Sequence, residues 1–396
     1  MGAEAKEAHQ DSVHIAIIVN SYPPRLGGLE SHVFQMANEL TSLGAKVTVI
    51  CLASDKSDSV EDGVRVIRLR MHLNIASVIS FPAWGTSRRL GELLADERVD
   101  VVSTHTRFFP MSYIGLRAAK SERVPVIHTE HGAGFVSSPS KFIRFASRVV
   151  DLTLGRTVLR KASQVLAVSE PGVRFVAELA SVNAEVFYNA LRLEDWPVAE
   201  DDHSPNSIAY LGRLVGGKGW EVFVDVAAEL ILRRGFGDLV VHVLGDGPDF
   251  ESLRARILSC GIEKSVQVHG RADVQTIRTA LHGSVLVNPS RLAEGFQITL
   301  LEAAAAGAQI VSFPVPSVQP LISDGGPVRE VADKTFGSLV DVVADTLRNP
   351  RPAMSRRTLE ARWSWTVRAR EYLAIVDTVV AREQVERARD SGTGTA

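Results

Sequence analysis

The chain has 396 residues, 45% of them hydrophobic and 23% charged, enough for two soluble domains that each bury a core. A net charge of −2 excludes the overall basic field that recruits nucleic acid, and two distant cysteines, Cys51 and Cys260, exclude a disulfide framework or zinc spacing. The polar opening MGAEAKEAHQDS lacks the apolar centre of a signal peptide, and no apolar run reaches the roughly 20 residues that span a bilayer. A cytoplasmic chain is expected, soluble or peripheral at the inner face of the membrane.

Residues 1–12 read as a flexible start. VHIAIIVN, Val13 to Asn20, is a continuous apolar strand. The Pro/Gly loop SYPPRLGG follows, then an amphipathic helix from about Leu29. KVTVICLA, VDVVSTHT, VPVIHTEHG, QVLAVSE and EVFYNAL continue the strand–helix alternation. Near-continuous apolar strands between helices imply a parallel sheet covered on both faces. The acidic, proline-bearing LEDWPVAEDDHSPN, residues 193–206, separates this 13–192 domain from a second. The pattern then restarts with SIAYLGRLVGGKG, the helix WEVFVDVAAELILRRG and the strand LVVHVLGDGP. VQVHGRAD, GSVLVNPS and AQIVSFPV supply three more strands of a 207–362 domain. The expected fold is α/β, with two doubly wound parallel-sheet domains facing each other across a cleft. Residues 385–396 read as a frayed tail.

Ligands of open α/β sheets bind beyond the carboxyl ends of strands, and the polar and glycine-rich loops lie there. In NPSRLAEGFQITLLEAAAAG, the helix is predicted from about Gln297 to a left-handed stop at Gly307. Glu294 then precedes the helix and Glu302 lies more than a turn inside. The free amides of Gly295, Phe296, Gln297, Ile298 and Thr299 make an anion site. Carboxylates beside such a site suit hydroxylated, uncharged groups: a sugar for one glutamate and a ribose for the other. The competing reading is two solvated acids. In LGRLVGGKGWE, Arg213 and Lys218 sit on a strand-to-helix loop, where cations stabilise a departing diphosphate, or are simply solvated. The order of a Walker loop is absent. Gly27 and Gly28 allow close backbone approach to a phosphate or form a plain turn. They do not form the dinucleotide fingerprint. Glu30 either caps its helix or faces the acceptor. In VIHTEHGAG, His131 is the outermost of His128, Glu130 and His131 and is expected to face the cleft. The His-x-x-His spacing lacks a third ligand cluster, and no Asp-x-Asp pair follows a strand, so no metal is expected on a diphosphate.

Residues 141–161, KFIRFASRVVDLTLGRTVLRK, carry six basic residues against Asp151 alone. Lys141, Arg144 and Arg148 share a helical face interleaved with Phe142, Ile143 and Phe145. This pattern suits docking on an anionic membrane, or a core helix with a solvated basic face.

Together the GGLE loop, the GR…KG loop and the Glu294-x7-Glu302 element resemble the retaining glycosyltransferases of family 4, which have the GT-B fold. The likeness runs from GGLE to WSWTVRAREYL. It implies that Glu302 binds the nucleotide ribose and that Glu294, with the backbone of Gly295, Phe296, Gln297 and Ile298, holds the donor sugar. It implies that Arg213 and Lys218 stabilise the diphosphate, that His131 lies near the transferred sugar, and that Gly270 and Arg271 read the base. Residues 363–384 look like the family's last helix, which crosses back onto the N-terminal domain. The implied activity is metal-independent, retaining transfer of a hexosyl-type group from a UDP- or GDP-sugar to a glycan or lipid-linked acceptor. No cofactor and no nucleic acid are implied. A sugar-nucleotide 2-epimerase or a non-catalytic nucleotide-sugar binder of the same fold is the alternative. Two departures stand out: Gln297 where a small residue is common, and no Gly-Gly-x-x-Glu in SFPVPSVQPLISDGGPVREVAD.

Overall fold

A computed structural model describes residues 12–25, 27–75, 79–135, 140–196, 205–292 and 294–392. The flexible start, most of the 193–206 linker and the last four tail residues lie outside the described residues. The first sheet contains β1 (His14–Ile18), β2 (Lys46–Ala53), β3 (Ser57–Glu61), β4 (Val64–Ile75), β5 (Ile79–Pro82), β6 (Val101–His105), β7 (Val126–Glu130), β8 (Gln164–Ala167) and β9 (Glu185–Val186). Its order is β3-β4-β2-β1-β6-β7-β8-β9, with β5 also on β4. The second contains β10 (Ser207–Leu211), β11 (Val240–Leu244), β12 (Val266–Gly270), β13 (Ser284–Asn288), β14 (Gln309–Ser312) and β15 (Val328–Glu330), in the order β12-β11-β10-β13-β14-β15.

The central strands β1, β6, β7 and β13 are buried at every residue, which is why they read as unbroken apolar runs. Two departures from an all-parallel first sheet appear, since β3 and β5 run antiparallel to β4. EVFYNAL forms only a two-residue strand, and Phe187 to Ala190 continue as a buried or half-buried connection.

The C-terminal helix spans Trp365–Gly392, so the expected frayed tail is helical through residue 392. Glu, Gln, Arg and Ala dominate that stretch, and no Gly or Pro interrupts it before Gly392. The helix buries Trp365, Ala369, Tyr372, Val376 and Val379 in the same core as Ile15, Ile17 and Leu40 of the first domain. Tyr372 donates to Ser103 Oγ at 2.7 Å and Thr366 to Glu39 at 2.7 Å. None of the helices is long and apolar enough to cross a membrane among the described residues.

Candidate active site between the two sheets

In both sheets the strand order reverses beside the first strand of the domain, at β1/β6 and at β10/β13. Loops leaving the carboxyl ends of neighbouring strands diverge there and open a crevice. A cleft of about 590 Å³ joins the two crevices. The first domain contributes Gly27, Gly28, Glu30, His32, Thr106, His131 and Asn189; the second contributes Arg213, Leu292, Glu294, Gly295, Phe296, Ile298 and Glu302.

The predicted helix after β13 forms over Ile298–Ala305, and Gly307 stops it at φ +78°. No side chain caps its first turn, and Ile298 of that turn lines the cleft. Glu302 lies half-buried within it and lines the cleft. It makes no ion pair or side-chain hydrogen bond with any described residue, and burial alone pushes its carboxyl up to about 7. An unpartnered acid facing a cleft is poised for a ligand. Glu294, half-buried, forms an ion pair with Lys218. Lys218 is therefore held by Glu294 and does not itself line the cleft wall. Arg213 is exposed on the wall, and its guanidinium has no protein partner among the described residues.

Glycine is required at two of these places. Gly219 has φ +84°, and a Cβ there would sit 2.4 Å from the Pro289 carbonyl oxygen, so the Arg213–Lys218 loop is braced on the strand that leads to Glu294. A Cβ at Gly295 would sit 2.0 Å from the His131 carbonyl oxygen. Here the two domains touch backbone to backbone. Gly27 is tight only against its own Glu30, and Gly28 has open space. Glu30 is buried, accepts from Ser21 Oγ at 2.6 Å and lies 3.7 Å from Arg25.

The other predicted residues sit as follows. Gln297 turns its side chain inward, where Asn288 Nδ2 donates to it at 2.6 Å, so it does not shape the cleft through that group. Phe296 is buried against Tyr188 and Trp363 and presents only an edge of wall. Gly270 ends β12 and Arg271 follows it, two strands away from the β10/β13 crevice, and neither lines this cleft.

Sequence reasoning missed the framework under His131. Arg107 is fully buried and pairs with Glu130 at 2.8 Å and Asp151 at 3.0 Å. Burial would raise the Glu130 carboxyl, but the Arg107 guanidinium overrides it and holds the group at about 2. Glu130 also accepts from the Gly132 amide at 2.7 Å, which fixes the loop carrying His131. Thr106, next to Arg107, takes φ +64°, a costly conformation for a β-branched residue, on the cleft wall. His128 and Glu130 are buried, so His131 alone of the three reaches the cleft. It meets His105 Nδ1 at 3.0 Å and packs edge-on to His32. Burial, aided by the neighbouring imidazoles, lowers the His105 and His131 pKa values, and burial takes His32 down to about 4.

The basic segment is helical throughout, interrupted by a π-turn. It runs as Lys141–Val150, a π-turn Asp151–Gly155 and Arg156–Lys161. Asp151 is inside with Arg107, and Arg156 and Arg160 donate to the Leu179 and Ala180 carbonyls. The helix Lys141–Val150 has no buried residue; Phe142 is 78% and Phe145 69% exposed. Its apolar side chains are thus not core.

Residues 26–195 match the family model for Glycosyltransferase Family 4, and residues 205–349 match that for Glycosyl transferases group 1. An uncharacterized glycosyltransferase of Methanocaldococcus jannaschii is 22% identical over 93% of this chain and 99% of its own. The phosphatidyl-myo-inositol mannosyltransferase of Mycobacterium tuberculosis is 25% identical over 89% of this chain and 93% of its own. The sucrose-phosphate synthase of Thermosynechococcus elongatus superposes with a TM-score of 0.71 at 17% identity, covering 93% of this chain and all of that one. With both sheets, the facing cleft and two adjoining family matches in agreement, the chain belongs to the family-4-type glycosyltransferases of GT-B fold.

Proposed function

We propose that the protein transfers a hexosyl-type group from a UDP- or GDP-sugar, with retention of configuration, to a glycan or lipid-linked acceptor. The observation that carries this reading is Glu302: an acid inside the cleft, without a partner among the described residues, raised by burial and in a helix whose first turn has no side-chain cap. A ribose hydroxyl pair would supply the hydrogen bonds it lacks, and the Arg213 guanidinium would meet the diphosphate. Charge builds on the leaving diphosphate as the glycosidic bond breaks. Arg213, the helix amides and Lys218, released in part from Glu294, stabilise that charge without a metal ion. Glu294 then accepts from sugar hydroxyls. The leaving phosphate oxygen takes the acceptor proton on the same face, so no protein nucleophile is needed. Nucleoside diphosphates and sugar nucleotides should raise the melting temperature; a ligand at 100 times its Kd adds about 2.7 kcal/mol. A panel in which none does so overturns the reading.

The lipid-linked acceptor is favoured by the exposed Phe142, Ile143 and Phe145 between Lys141 and Arg148, a face suited to an anionic bilayer. The relative named as a phosphatidyl-myo-inositol mannosyltransferase supports the same choice. The epimerase reading draws on one observation, that Glu30 brings an acid from the first domain to the cleft of Glu294 and Glu302. Incubation with donor alone separates the two: an isomerised sugar nucleotide marks the epimerase.

A further inference from the structure

We propose that His32, His105 and His131 form a three-nitrogen site for a borderline divalent metal ion of the zinc class, set in the N-terminal wall of the cleft. The three residues come from a helix, the end of β6 and the loop after β7. One ring nitrogen from each lies within 4.8 Å of the others. Tetrahedral zinc with Zn–N bonds of about 2.0–2.1 Å sets its ligand nitrogens roughly 3.3 Å apart. The widest gap therefore closes by at most about 1.5 Å, within the reach of ring rotation. The His105 Nδ1 to His131 Nε2 separation, 3.0 Å, is already near that spacing.

The surroundings orient the lone pairs. Asn189 Oδ1, 2.8 Å away, accepts a hydrogen bond from His32 Nδ1–H, which leaves the Nε2 lone pair for a metal. That Nε2 is buried and has no hydrogen-bond partner, an unexplained cost for a polar atom on a residue only 4% exposed. Ser103 Oγ lies 3.1 Å from His105 Nε2 and itself accepts from Tyr372. A proton on Nε2 frees His105 Nδ1 toward His131. Imidazole ligands whose second nitrogen is held by an oxygen are the usual arrangement around bound zinc. Without metal, the Nε2–H of His131 donates to His105 Nδ1; binding moves that proton by tautomerisation to His131 Nδ1, so all three ligands stay neutral imidazoles.

The chemistry selects the ion. Three neutral nitrogens and no carboxylate suit Zn²⁺, Co²⁺ or Ni²⁺ and do not suit Mg²⁺ or Ca²⁺. Glu130, the nearest acid, is engaged by Arg107 and the Gly132 amide. His32 and His131 both line the cleft, so a fourth position opens toward solvent for water or a hydroxyl. The site is separate from Arg213 and Lys218 in the other domain, and chelation that strips it leaves the diphosphate contacts in place.

The test uses the full chain, free of any affinity tag and dialysed against chelator. Calorimetry with ZnCl₂ should give one ion per chain, Co²⁺ should give the intense visible bands of four-coordination, and Mg²⁺ should give no heat. His131→Gln, on a half-buried loop, should weaken Zn²⁺ binding at least 100-fold, and Asn189→Ala, which only orients His32, by about 10- to 100-fold. His32→Gln serves as a second ligand variant, with melting curves reporting whether each variant folds. No stoichiometric Zn²⁺ binding, or binding unchanged in His131→Gln, overturns the proposal.

Discussion

Replacing Glu302 by Gln should stabilise the ligand-free protein, and only at neutral to alkaline pH. Burial raises this carboxyl from its ordinary value of 4.5 to about 7, and each tenfold in proton affinity is worth about 1.36 kcal/mol. The folded state therefore binds its proton more tightly than the unfolded chain does. Between pH 4.5 and 7 the folded state carries the extra proton, so this residue's contribution falls as pH rises and its full cost is reached above pH 7. The whole displacement corresponds to roughly 3 kcal/mol, and water in the cleft reduces it, so a gain on the order of 1–3 kcal/mol is expected for Glu302→Gln at pH 8. Near pH 4.5 variant and parent should differ little. Denaturant unfolding of both chains at the two pH values measures the difference. A gain of equal size at both, or none at pH 8, would refute the idea that an uncompensated charge sits there. On the proposed reading, the acid is retained at this cost because it serves a ligand.

The remaining predictions follow from other parts of the cleft. Turnover should survive excess EDTA if, as proposed, Arg213, Lys218 and helix amides hold the diphosphate; complete loss restored by Mg²⁺ or Mn²⁺ contradicts this. Gly295→Ala should cut turnover on the order of 100-fold, since its Cβ would strike the His131 carbonyl and spread the domains by a fraction of an ångström or more. Turnover within twofold of the parent would show that the contact is not needed. Phe142→Asp with Phe145→Asp should lower binding to anionic liposomes at least tenfold, each ring contributing about 1.5–3 kcal/mol when buried. Flotation unchanged by that pair, or by Arg144→Glu with Arg148→Glu, removes the membrane from the account.

Most of the strand–helix alternation was legible because buried parallel strands are apolar on both faces. Lys46–Ala53 and the stop at Gly307 read directly from their residues. The β3–β4 hairpin did not, because charges interrupt its apolar run. Arg65 pairs with Asp58 and Glu97, and Arg68 with Glu61. A usable signal was present in Asp62-Gly63, both at positive φ, the dipeptide favoured in tight hairpin turns. The cleft was readable where its residues share one loop, as in Glu294 through Glu302. It was unreadable where the fold gathers distant residues. His32, His105 and His131 share no spacing, and Arg107 meets Glu130 and Asp151 only after β6, β7 and the π-turn pack. Sequence also hid that Lys218 is held by Glu294 and that Gln297 turns inward, since neither direction follows from position on a loop.

Calorimetry with the nucleoside diphosphate alone tests the division of labour between the two glutamates most directly. Glu302, assigned to the ribose in the proposal, should matter whether or not sugar is attached, and its loss to Ala should weaken diphosphate binding by about 1.5–3 kcal/mol, roughly 10- to 150-fold. Glu294, where the hexose would lie, should leave that affinity within a few-fold when changed to Ala, while turnover falls. Loss of diphosphate binding in Glu294→Ala with none in Glu302→Ala would reverse the assignment, and no change in either variant would contradict the account of the cleft.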